Sequence, residues 1–161
     1  MSKLSLRTEG DKHVVVTRHF AASPEAVYRA HTEPALIQKW MLGPEGWTMP
    51  VCIYEARPGG KIRYEWSNGN DRSFHLTGEI IELLPYSRIV HIGRMHLPDP
   101  TPDNHIETRF EPDGGGTLMT MRMTLPDSTT RAIMLTSDME HGMEANCARL
   151  EKMSANANQA A

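Results

Sequence analysis

Residues 57–84 read RPGGKIRYEWSNGNDRSFHLTGEIIELL, a stretch that holds two strands and the turns that bound them. In KIRYEWS, Ile62, Tyr64 and Trp66 alternate with Lys61, Arg63 and Glu65, the two-residue period of a strand with one apolar and one charged face. Arg57-Pro58-Gly59-Gly60 precedes it and Ser67-Asn68-Gly69-Asn70-Asp71 follows it, and these residue types fix turns or accept positive φ. A second strand-like run then spans 73–84. Links this short join antiparallel neighbours, because parallel strands need a crossover of a dozen residues or more.

The same grammar extends in both directions. Strand-like segments at 49–56, 88–97, 104–112 and 116–125 are separated by Pro85-Tyr86-Ser87, by the Pro/Asp-rich run 98–103 and by Pro112-Asp113-Gly114-Gly115-Gly116. With 61–67 and 73–84 they make a meander of six strands, preceded by a first strand HVVVTRHF at 13–20. Between the first strand and the meander, Ser23-Pro24 opens a short helix over 24–31. Leu36, Ile37 and Trp40 mark a second short helix that stops before Gly43-Pro44. Pro126-Asp127-Ser128 opens the last element, in which Leu135, Met139, Met143, Cys147, Leu150 and Met153 recur at helical spacing. They predict one long amphipathic helix whose only partner of matching length is a face of the sheet. The expected class is α+β. One domain spans 13–153, with a polar lead at 1–12 and a disordered tail at 154–161.

Composition narrows function by exclusion. The chain has 161 residues, enough for one core, and its formal charge of −3 offers no basic field for nucleic acid. Two cysteines, Cys52 and Cys147, are too few for a disulfide framework and point to a reducing compartment. With neither a leader-like apolar run nor a membrane-length one, a cytoplasmic protein without stable membrane insertion is expected. Eleven methionines against three phenylalanines suit a deformable apolar surface, whether cavity lining or core.

The order of strand, two short helices, six-strand meander and long closing helix resembles the helix-grip fold of the START-like, Bet v-like or SRPBCC superfamily. Within it the chain is similar to bacterial single-domain members of the family named for the activator of the ninety-kilodalton heat-shock chaperone's ATPase. HFAASPEAVYRAHTEPALIQKWMLGPEGW resembles the family's opening and Arg57-Pro58-Gly59-Gly60 its next turn. Gly78-Glu79-Ile80-Ile81-Glu82-Leu83 with Pro85 and Arg88-Ile89-Val90 resembles its central hairpin, and Phe110 to Thr117 its last one. The likeness runs from about His13 to Met153. Two sites depart from it: Trp40-Met41 where relatives often pair tryptophans, and Gly142-Met143 where they often have glycine-tryptophan. The resemblance implies a cavity between sheet and helix, in a superfamily that includes lipid carriers, hormone receptors, aromatic cyclases and chaperone cofactors.

The expected ligand is therefore a hydrophobic or amphipathic small molecule, with Trp40, Tyr64, Trp66, Leu76, His91, Met139 and Met143 as candidate lining residues. Tyr64 and Trp66 carry polar atoms that a ligand or water would partner in a cavity and that other protein groups must partner in a packed core. His91, in phase with Met95, would put an imidazole in an apolar pocket. Met119, Met121 and Met123 form one face of the last strand, opposite Leu135, Met139 and Met143. Arg63, Glu65, Glu79 and Arg94 fall on the solvated face. The eight histidines show no paired ligand spacing, and neither a phosphate loop nor a nucleophile elbow occurs, so no metal, cofactor or catalytic residue is expected. A cyclase- or dehydratase-like enzyme is the alternative, and it requires an acid or base inside the cavity. A chaperone-activating role is disfavoured, because the eukaryotic relatives use a further preceding domain and only residues 1–12 precede the first strand here. An exposed sheet edge is compatible with a homodimer.

Overall fold

The computed structural model describes residues 3–43, 45–96, 100–137 and 139–160. Eight strands form one wholly antiparallel sheet: β1 (Ser5–Glu9), β2 (His13–Phe20), β3 (Thr48–Tyr54), β4 (Lys61–Ser67), β5 (Ser73–Leu84), β6 (Arg88–His96), β7 (Asn104–Asp113) and β8 (Gly116–Thr124). Their spatial order is β1-β2-β8-β7-β6-β5-β4-β3. Four helices among the described residues accompany the sheet: α1 (Pro24–Thr32), α2 (Pro34–Trp40), α3 (Ser128–Leu135) and α4 (Met139–Ala160). This is the expected helix-grip arrangement.

Local chemistry places the two short helices. The Ser23 hydroxyl accepts the Ala26 N–H at 3.2 Å and caps α1, which buries Val27 and Ala30. Pro34 sits in the first turn of α2, which buries Ile37 and Trp40. The Trp40 indole N–H donates to the Ala30 carbonyl at 2.8 Å, so the second helix is latched to the first.

Three expectations need correction. The polar lead is a strand: Gly10, at φ 52°, turns the chain back so that Leu6 pairs with Val16, and Leu4 is buried. The closing helix is two helices, because the Thr136 and Ser137 hydroxyls bond back to the Ile133 and Met134 carbonyls and end α3 at Leu135. Leu135 and Met139 therefore sit on different elements. Finally, α4 continues through Ala160, so residues 154–160 extend a helix where a disordered tail was expected, in keeping with the high helix propensity of alanine.

The strand phases hold as expected. Ile62, Tyr64 and Trp66 are buried on the concave face under the helices, and a bulge between Ile80 and Glu82 turns Ile81 outward. Two core clusters share this face. One joins β2, β7 and β8 to α1 and α4 through Phe20, Phe110, Met119, Met123, Cys147 and Leu150. The other, on β3, β4 and β5, contains Met49, Tyr54, Ile62, Tyr64, Trp66 and Ile80. No helix among the described residues is long and apolar enough to cross a membrane.

Candidate functional site

Register across the sheet sets the geometry between the clusters. Tyr54 pairs with Ile62, Ile62 with Gly78, Gly78 with Gly93 and Gly93 with Asn104, a single row over five strands. Its third and fourth positions have no side chain. The glycines differ in cause. A Cβ on Gly78 would collide with the Ile92 carbonyl oxygen, so the backbone itself demands glycine there. A Cβ on Gly93 would meet only Leu76 Cδ1 at 3.9 Å and His91 Cδ2 at 4.0 Å, which is ordinary contact. Steric need does not explain Gly93, and its absent side chain leaves the sheet floor bare beside the His91 ring.

Three buried side-chain atoms lack a hydrogen-bond partner among the described residues: Tyr54 Oη, His91 Nδ1 and Asn104 Oδ1. All three belong to concave-facing positions. Tyr54 and Asn104 end the row of the two glycines, and His91 lies two residues before Gly93 on the same face. Buried polar atoms are seldom left unpaired, since each forgoes roughly 1–3 kcal/mol. Burial, reinforced by His31, pushes the His91 imidazole down to about 4, so it is neutral at pH 7. Burial raises the Tyr54 and Tyr64 phenols, which stay protonated. It also pushes the Cys52 and Cys147 thiols up to about 11 and about 12, so neither is a ready nucleophile.

Charge is nearly absent from this face. By register, Arg18 is the one concave-facing charged side chain among the described strand residues. It is already engaged, with its guanidinium 3.3 Å from Glu144 and 3.6 Å from Glu151 of α4.

The candidate lining residues fall into three groups. Tyr64, Trp66 and Leu76 lie in the β3–β5 cluster, where Trp66 stacks on Phe74 at 4.9 Å and meets Tyr64 edge-on at 5.7 Å. Trp40, Met139 and Met143 pack in the other cluster. His91 stands between them, opposite Ile80 of the first and Ile106, which packs on the second. Both tryptophan N–H groups are satisfied by main chain, Trp66 donating to the Met41 carbonyl at 2.9 Å. Trp66 therefore needs no ligand to satisfy it. Tyr54, Asn104 and the glycine pair escaped sequence reasoning, although Gly93 in the middle of IVHIGRMH was a visible signal.

On the opposite face, the charged row forms ion pairs, Arg63 with Glu65 at 2.6 Å and Arg94 with Asp103 at 2.7 Å. Arg63, Thr77, Glu79, Arg94 and Ile53 border an open cleft of about 570 Å³. A smaller one, about 230 Å³, is bordered from both faces, by Trp66 and Phe74 and by a stacked His75–His96 pair whose ring centres are 4.2 Å apart. No group of three or more His, Cys, Asp or Glu among the described residues is arranged to hold a metal ion.

Comparison with known proteins gives the same architecture. The family described as Activator of Hsp90 ATPase homolog 1-like protein matches residues 21–155. A crystal structure of a Rhodobacter sphaeroides protein shares 29% identity and a TM-score of 0.90, covering 96% of this chain and 99% of that one. A Mycobacterium smegmatis protein superimposes with a TM-score of 0.83 at 18% identity, covering 95% and 96% of the two chains. For a Nitrosomonas europaea protein the values are 0.81 and 20%, covering 95% and 99%. None of the curated proteins matches the sequence.

Proposed function

Because the chain belongs to the Activator of Hsp90 ATPase homolog 1-like family, we propose that it holds a hydrophobic or amphipathic small molecule against the concave face, between the two core clusters. The observation that carries this reading is Gly93. The backbone tolerates a side chain there and the sequence supplies none, next to His91 Nδ1 and Asn104 Oδ1, buried atoms without a partner among the described residues. A ligand over the bare floor would cover Leu76 and Met95 and give those atoms something to bond.

Binding is favoured over catalysis by the residues present. A cyclase-like reaction needs an acid or base poised near neutrality. The concave strand positions carry no carboxylate, and His91 is held neutral far below that range. The two free cysteines accord with a reducing, cytoplasmic setting.

The test is titration with the fluorescent apolar probe N-phenyl-1-naphthylamine. Saturable binding by the native protein and its loss in Gly93→Leu, with the circular dichroism spectrum retained, is the expected result. Equal binding by both proteins would place the probe elsewhere and remove this reading.

A further inference from the structure

Resting on that reading, we infer that His91 and Asn104 form a recognition point for the polar end of the ligand, and that the ligand is a neutral hydrogen-bond donor such as a phenol or an alcohol. The two residues bracket Gly93: Asn104 is its cross-strand partner, and the His91 ring reaches to 4.0 Å from the point a Cβ would occupy. Diagonal neighbours of this kind have Cα atoms about 7–8 Å apart, close enough for both side chains to meet one hydroxyl group on the ligand. Asn104 Oδ1 can only accept, so the group that satisfies it must donate. A hydroxyl has one proton to give, so with that proton on Asn104 Oδ1 the His91 ring, protonated at Nδ1, donates to the hydroxyl oxygen.

Charge selects among donors. An ammonium would find no carboxylate on the strand positions of the concave face to pair with. A carboxylate would find only an uncharged amide and a neutral imidazole at this point, and Arg18, the one cation among the described strand positions of this face, is occupied by Glu144 and Glu151. Burying either ion unpaired is costly, whereas a neutral hydroxyl loses little. Around this point the lining is apolar, Ile106 on one side and Leu76 and Met95 on the other, so the rest of the ligand is hydrocarbon or aromatic.

Three probes of one shape separate this inference from the broader reading: 1-naphthol, 1-methylnaphthalene and 1-naphthoate, titrated calorimetrically at pH 7. The expected result is that 1-naphthol binds at least tenfold more tightly than 1-methylnaphthalene and that 1-naphthoate binds most weakly. In His91→Phe/Asn104→Val the naphthol advantage disappears while 1-methylnaphthalene binds as before. Equal affinity of naphthol and methylnaphthalene for the native protein overturns the inference and leaves the apolar-site reading standing. That comparison needs no variant. Failure of all three probes to bind overturns both.

Discussion

Gly78 and Gly93 are cross-strand partners in the middle of the concave face, one required by the neighbouring backbone and the other not. Their pairing leaves two adjacent positions without side chains on the sheet between the two core clusters, which Met41 and Leu83 bridge. Substitution separates the two roles. Gly78→Ala forces the backbone away from the Ile92 carbonyl and is expected to destabilise the fold by about 2 kcal/mol or more. Gly93→Ala introduces only ordinary contacts and is expected to leave stability within about 1 kcal/mol of native, or to raise it, since glycine weakens a strand. Urea midpoints of the two variants check this, and equal losses would contradict the distinction.

The buried histidines make stability depend on acid. His31 donates its Nδ1–H to the Val27 carbonyl at 2.7 Å. Burial nevertheless holds His31 and His91 near 4, against 6.5 for a free imidazole. The unfolded chain therefore binds more protons than the native one between those values. Their contribution to stability is fully present above about pH 6.5 and falls as pH drops toward 4. For His31 the loss amounts to roughly 3 kcal/mol. Urea unfolding at pH 7 and pH 4.5 should show the drop, and His31→Phe should flatten it. A slope unchanged in that variant would assign the acid sensitivity to other groups.

Arg18 predicts an asymmetry between partners. The arginine is 4% exposed, while Glu144 and Glu151 are 32% and 30% exposed. Glu144→Gln/Glu151→Gln strands a buried cation and is expected to cost about 3–5 kcal/mol. Arg18→Met leaves two carboxylates that can turn to water and is expected to cost less than half of that. Chemical denaturation of both variants decides the order, and a larger loss for Arg18→Met would refute the account.

Trp66 provides a test of packing against recognition. Its N–H is bonded to the Met41 carbonyl and its ring stacks on Phe74. Trp66→Phe is expected to lose about 1–2 kcal/mol of stability through the hydrogen bond and lost area, with little change in probe affinity. A large affinity loss at unchanged stability would make Trp66 a ligand contact instead.

Much of this was legible before any coordinates. Strand boundaries in the meander followed from alternation and turn residues, both local properties, and the observed β4 (Lys61–Ser67) and β5 (Ser73–Leu84) keep the expected limits. The errors are also local in origin. Leu4 and Leu6 alternate with polar residues over too short a span to outweigh the charge around them, so β1 read as a lead. Thr136 and Ser137 sit inside a helical stripe that carries on past them, and only their back-bonding to the preceding turn reveals the break.

Alternation along the chain told which face each residue would take, and so named His91 as an imidazole turned inward. It could not tell that Tyr54, Gly78, Gly93 and Asn104 share one row, because register is set by pairing between strands distant in sequence. Whether a buried polar atom has a partner depends on that row and on the helices packed above it. The difference between a tryptophan already bonded to main chain and a histidine whose Nδ1 has no partner among the described residues thus arises only when the strands are side by side.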